Sequence, residues 1–124
     1  MVAVDTSTLI AFLRGEGGRD VEALDRALES SQAVLPPVVL VEILSDPKLD
    51  PRVSRLILAL PLLQPQPGYW ERAAETRAKV LARRLRARLA DTLISQSCID
   101  HGTPLITRDA DFRHFARQSG LQLA

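Results

Sequence analysis

Short apolar runs alternate with longer segments of helical character along this chain, and that alternation restricts the folds that the chain can adopt. Apolar runs predict strands at residues 2–4, 33–36, 104–107 and 121–124. Residues 62–66 are a short edge strand at best, because Pro65 removes a backbone donor. Strands that alternate with helices are typical of the α/β class, so we predict an α/β sandwich with a mostly parallel central sheet.

The segments between the strands are predicted to be helices. They cover residues 7–15, 19–31, 38–44, 51–60, 91–102 and 111–120, and a further long segment that begins at residue 69. Ser7 is a candidate cap for the first helix, and Gly15 and Gly102 are candidate helix ends. No glycine or proline interrupts residues 69–101, but the arginine-rich sequence "RRLRARLAD" changes the apolar pattern. We therefore predict a break between two helices just before Asp91.

The composition is ordinary for a globular protein, with 46% hydrophobic and 25% charged residues in a chain of 124. A chain of this length is expected to form a single domain over residues 1–124. No apolar run approaches the roughly 18 residues that a membrane-spanning helix needs, and the N-terminal sequence lacks the basic region of a signal peptide. The single cysteine, Cys98, excludes an internal disulfide and fits a reducing compartment. We therefore expect a cytoplasmic protein.

Charge is unevenly distributed along the chain. Residues 1–50 carry 4 basic and 9 acidic side chains, whereas residues 51–124 carry 12 basic and 6 acidic ones. A basic half is compatible with a polyanionic partner such as nucleic acid. A solvated, arginine-rich helix face explains the same distribution more simply, so charge alone does not identify a partner.

Four carboxylates border the most apolar segments of the chain, where isolated charged groups are rarely placed. Asp5 follows the first strand, Glu42 interrupts the apolar run "VVLVEIL", Asp91 precedes "TLISQSCI", and Asp109 follows "PLIT". Each has an ordinary explanation by itself: a loop residue, a helix N-cap or, for Glu42, a partner of a buried arginine. The run around Glu42 predicts a buried helix, where an unpaired carboxylate is costly. One common site would explain all four.

A common site for these acids would require a cation. Converging carboxylates repel one another, which raises their pKa values and weakens the fold. A divalent cation removes that penalty, and all-oxygen ligation favours Mg²⁺ or Mn²⁺ over zinc. His101 beside the helix stop Gly102 suits the helix dipole, and His114 lies on a short polar helix, so neither indicates zinc. Asp5 and Asp109 lie just past the carboxyl ends of strands, where parallel sheets bind ligands.

Three segments resemble the motifs of the PIN-domain family. In the first, "VAVDTSTLIAF", Asp5 follows the first strand. The second, "LPPVVLVEIL", is similar to the family's second motif, with Glu42 at the position of its helical acid. The third, "LADTLISQSCIDHGTPLITRDADF", is similar to the acidic-residue helix, glycine stop, strand and T-x-D-x-D-F ending of VapC-type toxins. The chain departs from a common pattern by lacking a glycine in the segment before Asp91.

The resemblance covers nearly the whole chain, and it implies a PIN-like three-layer sandwich that acts as the toxin of a type II toxin–antitoxin system. Such a toxin is an endoribonuclease that depends on Mg²⁺ or Mn²⁺ and hydrolyses RNA phosphodiester bonds with a metal-activated water, leaving a 5′-phosphate. The resemblance also implies a cognate VapB-type antitoxin and a homodimer, and no membrane partner.

The resemblance assigns roles to individual acids as well. The implied catalytic residues are Asp5, Glu42, Asp91 and Asp109. Of these, Asp5, Asp91 and Asp109 are the implied metal ligands, and Asp111 is a second candidate for the fourth acid. If Glu42 or Asp91 contacts the metal only through water, it could orient or deprotonate the attacking water.

Other residues are further candidates for the same site. Ser7 and Thr107 match small hydroxyl positions of the family, although capping or strand-end hydrogen bonds would explain them equally well. Arg108 is placed to brace the acidic cluster, and Tyr69 and Trp70 are predicted to be packing residues at a helix start. Candidates for phosphate contact, or simply for surface charge, are Arg83, Arg84, Arg86 and Arg88.

Other protein classes fit the sequence less well. A phosphorelay receiver needs a lysine after a late strand, but the only lysines are Lys48 and Lys79, and neither follows one. A phosphatase of the haloacid dehalogenase type needs D-x-D after the first strand, where residue 7 is serine. A catalytically silent PIN-like binding module has no need of intact acids, and all four acidic positions are intact here.

Overall fold

The chain folds around a short parallel sheet. The computed structural model describes residues 1–124. Three strands lie in the order β2-β1-β3, and both pairings are parallel. Their bounds are Val2–Val4 for β1, Ala33–Val34 for β2 and Leu105–Ile106 for β3. Single parallel bridges join Leu35 to Leu62 and Leu105 to Leu123. Residues 62–66 and 121–124 thus contribute only single bridges, so the prediction of a full final strand is wrong.

Seven helices flank this sheet, which confirms the predicted α/β sandwich. They are α1 Thr6–Leu13, α2 Arg19–Glu29, α3 Pro37–Leu44, α4 Pro51–Leu58, α5 Tyr69–Ala82, α6 Leu89–His101 and α7 Phe112–Ser119. None of them combines the length and the apolar character needed to cross a bilayer. The central strand β1 is buried among helices, which explains why its sequence is continuously apolar and does not alternate.

The predicted break before Asp91 is present, but α6 begins two residues earlier than expected, at Leu89. After α5 the chain turns at Arg84, which has a left-handed φ of 57°. Asp91 therefore lies in the first turn of α6, where a negative charge is favoured by the helix dipole, and the residue at the N-cap position is Arg88. Gly102, with φ +59°, ends α6 as predicted.

Two predictions about helix faces are wrong. The run "VVLVEIL" is a helix, but Val41 is 63% exposed and Glu42 is exposed as well, while Val39 and Ile43 face the core. Trp70 is also 63% exposed. The adjacent Tyr69 is buried, as predicted, and its hydroxyl donates to the carbonyl of Leu93 at 2.7 Å.

Candidate active site

Three carboxylates converge at the carboxyl edge of the parallel sheet. Asp91, Asp109 and Asp111 each offer an oxygen atom within 4.8 Å of those of the other two. Asp91 comes from the first turn of α6, whereas Asp109 and Asp111 come from the segment that links β3 to α7. The structure therefore brings both candidates for the fourth acid, Asp109 and Asp111, into one group.

Asp5 lies beside this group but outside it. It follows β1, is only 3% exposed and caps α1, because its Oδ1 accepts from the backbone N–H of Thr8 at 3.2 Å. The N-cap is therefore Asp5, and the prediction that Ser7 caps this helix is wrong. Ser7 donates instead to the Asp5 carboxylate at 2.9 Å, and Thr107 donates to its Oδ2 at 2.9 Å. Burial raises the pKa of Asp5, and these hydrogen bonds oppose that shift.

Asp91 is the most perturbed acid of the group. Burial and the nearby charge of Asp109 raise its pKa to about 6, while Arg88 lowers it and the charges of Asp5 and Asp111 raise it further. Its Oδ2 is buried and has no hydrogen-bond partner. A buried carboxylate oxygen without a partner is costly. A bound cation would satisfy this atom and reduce the repulsion at the same time.

The segment that carries Asp109 and Asp111 is held by its own hydrogen bonds. Thr107 Oγ1, which donates to Asp5, also accepts from the backbone N–H of Asp109 at 3.0 Å. Asp109 Oδ1 in turn accepts from the backbone N–H of Asp111 at 2.9 Å. Thr107 is thus a direct link between the end of β1 and the acids that follow β3.

Glu42 occupies a different position from the other acids. It lies on the exposed side of α3, and its Oε1 accepts from the hydroxyl of Thr6 at 2.6 Å. Thr6 directly follows Asp5, so this bond connects Glu42 to the start of α1. The prediction that Glu42 is buried is therefore wrong, and Glu42 is not part of the group of three.

Basic residues border the acids on one side. Arg86 Nη1 lies 3.8 Å from Asp111 Oδ2, and His114 Nε2 lies 3.9 Å from Asp111 Oδ1. Arg88 is close enough for its charge to lower the pKa of Asp91. Arg83 and Arg84 lie at the end of α5 and form no ion pair. Of the four arginines predicted to contact phosphate, Arg86 and Arg88 are thus the two that interact with acids of the group.

Sequence reasoning missed part of the surroundings of the site. Thr6, Ser7 and Thr8 donate in succession to Glu42, Asp5 and Asp20, so each hydroxyl of "TST" binds a different carboxylate. The sequence signal that could have predicted these contacts is the run of three hydroxyl residues directly after Asp5. Arg108, predicted to brace the acidic group, makes no contact with its three carboxylates, because its guanidinium pairs with Asp20 and Glu16.

The donor set fits a divalent cation. The group of three supplies only carboxylate oxygens, one of which is otherwise without a partner, and no histidine or cysteine belongs to it. Oxygen ligands of this kind suit hard cations. The arrangement is therefore suited to metal-dependent chemistry on an anionic substrate.

Comparisons with known proteins agree with this geometry. The model of the PIN domain family matches residues 2–118. Ribonuclease VapC11 of Mycobacterium tuberculosis is 31% identical over 131 aligned positions, which cover 100% of this chain and 98% of that protein. VapC ribonuclease Mb1587 of Mycobacterium bovis matches with the same identity and coverage.

Solved structures with the same fold include two toxin–antitoxin proteins. VapBC2 from Rickettsia felis, bound to a promoter DNA fragment, matches with a TM-score of 0.72 at 17% identity, covering 100% of this chain and 98% of that one. VapBC-5 from Mycobacterium tuberculosis matches with a TM-score of 0.63 at 20% identity, covering 99% and 94%. The family model and the full-length relatives together give the assignment: this chain belongs to the PIN-domain family, in its VapC group.

Proposed function

We propose that this chain is a metal-dependent endoribonuclease and the toxin component of a VapBC-type toxin–antitoxin pair. One observation carries the proposal: Asp91, Asp109 and Asp111 meet within 4.8 Å, with the buried Oδ2 of Asp91 left without a partner. Such a group is suited to a cation that balances its charge, and the full-length relatives of the chain are named ribonucleases. The whole of residues 1–124 would act as one nuclease domain.

The cation is proposed to be Mg²⁺ or Mn²⁺, held by Asp91 and Asp109 together with Asp111. Asp5, which the sequence predicted as a further ligand, would contribute negative charge from its buried position beside the group. A cation held there would offset the charge that develops on a phosphodiester in the transition state. The choice of these two ions rests on the all-oxygen donor set.

The remaining residues are proposed to handle the substrate and a proton. Glu42 would accept a proton from an attacking water, a role supported by its exposure and by its hydrogen bond from Thr6, the residue after Asp5. Arg86 and Arg88 would contact phosphates of the RNA. Arg86 would then exchange its 3.8 Å ion pair with Asp111 for a phosphate of the bound substrate. Ser7 and Thr107 would fix the orientation of the Asp5 carboxylate.

Purified protein should therefore cleave single-stranded RNA in the presence of Mg²⁺ or Mn²⁺, and EDTA should stop the reaction. Gel analysis of an end-labelled RNA measures this, and 5′-phosphate ends on the products would match hydrolysis of the expected kind. An Asp109→Asn variant purified in the same way controls for contaminating ribonucleases. RNA that stays intact with both ions would instead favour a catalytically silent binding module.

The antitoxin partner is proposed to bind an apolar groove between α1, α2 and α4. Eight hydrophobic side chains and no polar ones line this groove, among them Phe12, Leu13, Leu28, Leu56 and Leu60. Leu56, which is 69% exposed, adds to this continuous apolar lining, and a contiguous exposed apolar surface marks a protein interaction site. The apolar face of an amphipathic helix would fill a groove of this kind.

Leu56→Glu is expected to weaken binding of the cognate antitoxin by about 10-fold or more, because it places a charge in the apolar contact. Leu58→Glu is the matched control: Leu58 is 61% exposed on the same helix but does not line the groove. Calorimetric titration of the antitoxin into both variants measures the difference. Equal affinities for the two variants would exclude this groove as the binding surface.

Two further properties are proposed on the basis of family membership. The protein would act in the cytoplasm, where its RNA substrates and antitoxin are found, and it would form a homodimer. Exposed apolar side chains such as Trp70 and Leu89 are compatible with a second protein surface away from the apolar groove.

A further inference from the structure

A second charged network lies next to the acidic group, with Arg108 at its centre. The guanidinium of Arg108 donates two hydrogen bonds to the carboxylate of Asp20, from Nε to Oδ2 at 2.7 Å and from Nη2 to Oδ1 at 3.1 Å. Its other contacts are with Glu16 Oε1 at 3.2 Å and the carbonyl of Gly17 at 3.0 Å. The side chain of Asp20 is 13% exposed and that of Arg108 is 33% exposed, so the carboxylate is largely covered while the guanidinium keeps contact with solvent.

Asp20 is connected to the acids through Thr8. The hydroxyl of Thr8 donates to Asp20 Oδ2 at 2.9 Å, and the backbone N–H of the same residue donates to Asp5 Oδ1 at 3.2 Å. Thr8 is completely buried, which leaves it little freedom to move. Thr8 therefore ties Asp5, the N-cap of α1, to Asp20 in the first turn of α2.

Arg108 is connected to the acids through its neighbours in sequence. Thr107 binds Asp5, and Asp109 belongs to the group of three. The segment 107–109 is thus attached at two points: Thr107 to Asp5 at the start of α1, and Arg108 to Asp20 at the start of α2. Two attachments on adjacent residues fix the rotation of the segment as well as its position.

The turn before α2 is shaped to admit the guanidinium. Gly18 has φ +138°, which side-chain-bearing residues rarely adopt. A Cβ atom at this position would lie 2.7 Å from Asp20 Oδ1 and 3.1 Å from Arg108 Nη2. A side chain at residue 18 would therefore disturb the two-bond contact between Asp20 and Arg108.

We propose that Asp20 and Arg108 are positioning residues that hold the segment after β3 so that the Asp109 carboxylate meets those of Asp91 and Asp111. Neither residue touches the substrate or the cation. The pair acts by fixing the backbone at Asp109. Residues that do not touch a metal commonly orient the side chains that bind it in this way. This inference rests on the proposed function, because it assumes that the group of three binds a cation.

The change in Mn²⁺ affinity on replacing Arg108 distinguishes a positioning role from a purely electrostatic one, because the two predict opposite directions. Removing the positive charge of Arg108 from the neighbourhood of a cation site would, by Coulomb's law alone, tighten Mn²⁺ binding. Loss of positioning would weaken it. We expect Arg108→Gln and Asp20→Asn each to weaken Mn²⁺ binding about 10-fold. The double variant should be no weaker than either single variant, because both act through one contact.

Arg72→Gln is the matched control. Arg72 donates two hydrogen bonds of the same geometry to Asp100, at 3.0 and 2.7 Å, and so joins α5 to α6. The carboxylate of Asp100, like that of Asp20, is largely buried. Its loss should lower the melting temperature but leave the Mn²⁺ dissociation constant unchanged. Calorimetric titration of Mn²⁺ and melting curves in EDTA, recorded on the full chain, provide both measurements.

The proposal would be overturned if Arg108→Gln bound Mn²⁺ as tightly as the parent or more tightly, while its melting temperature fell as in Arg72→Gln. The proposed nuclease function would not be affected by that result. Absence of Mn²⁺ binding by the parent protein would overturn both. If Arg108→Gln fails to fold, Arg108→Lys decides: it keeps the charge but loses the two-bond contact. Weaker Mn²⁺ binding by Arg108→Lys supports positioning, and unchanged binding refutes it.

Discussion

Replacing Asp91 by asparagine is expected to lower RNA cleavage by about 100-fold or more and, in EDTA at neutral pH, to raise the melting temperature. Burial and the charge of Asp109 raise the pKa of Asp91 to about 6, so the ionised group weakens the metal-free fold. Asparagine keeps the shape of the side chain and removes this repulsion. It also removes a charged ligand from the group of three, so stability and activity should change in opposite directions.

The same raised pKa sets the pH dependence of the metal-free protein. The pKa of Asp91 in the folded state lies above its ordinary value of 3.8, so between these two values the folded protein holds a proton that the unfolded chain releases. The contribution of Asp91 to the free energy of unfolding is complete at low pH and is lost as pH rises through about 6. In EDTA, the melting temperature of the parent should fall as pH rises across this range, and the melting temperature of Asp91→Asn should change less with pH.

Asp25→Asn provides the control for this experiment. It makes the same change in net charge on the exposed side of α2, away from the acidic group. Its melting temperature and its cleavage rate should match those of the parent. If Asp91→Asn melts below the parent in EDTA, the carboxylate stabilises the metal-free fold, and the repulsion inferred here does not exist. Persistent cleavage would remove Asp91 from the active site.

Much of the fold was predictable because it depends on local sequence. An apolar run followed by an acid, as at Asp5 and Asp109, indicates a buried strand and the residue that emerges at its carboxyl end. Parallel pairing then brings such residues to the same edge. Asp91 was predictable for a related reason, since a change of apolar pattern indicated the start of its helix.

Features that depend on packing were not predictable in the same way. The apolar residues of "VVLVEIL" surround the whole circumference of α3, so their pattern does not indicate which side is buried, and Glu42 is exposed. Tyr69 and Trp70 are both aromatic, but they point in different directions from the helix, and only Tyr69 faces the core. The partner of Arg108 lies 88 positions earlier, in a turn that the sequence does not associate with β3.

Asp5→Asn is expected to lower cleavage by about 100-fold or more while leaving most of the fold intact. Asparagine is as good an N-cap as aspartate, so its Oδ1 can still accept from the backbone N–H of Thr8. The amide nitrogen that replaces Oδ2 cannot accept from the hydroxyl of Thr107, which then loses its acceptor. The lost bond costs about 1 kcal/mol, and removing a charge whose pKa is raised by burial offsets part of that cost. The circular dichroism spectrum should therefore stay near that of the parent.

Asp5→Ala separates the two roles of this residue, because it removes the cap as well as the acceptor of Thr107. The cap alone contributes about 1 kcal/mol, and each buried donor left unpaired costs about 1–3 kcal/mol. Denaturant unfolding should therefore place Asp5→Ala well below Asp5→Asn in stability, although both lack cleavage. If Asp5→Asn loses fold and activity to the same extent as Asp5→Ala, the role of Asp5 is purely structural. A stable, inactive Asp5→Asn would instead mean that the negative charge of this buried carboxylate is needed for the reaction itself.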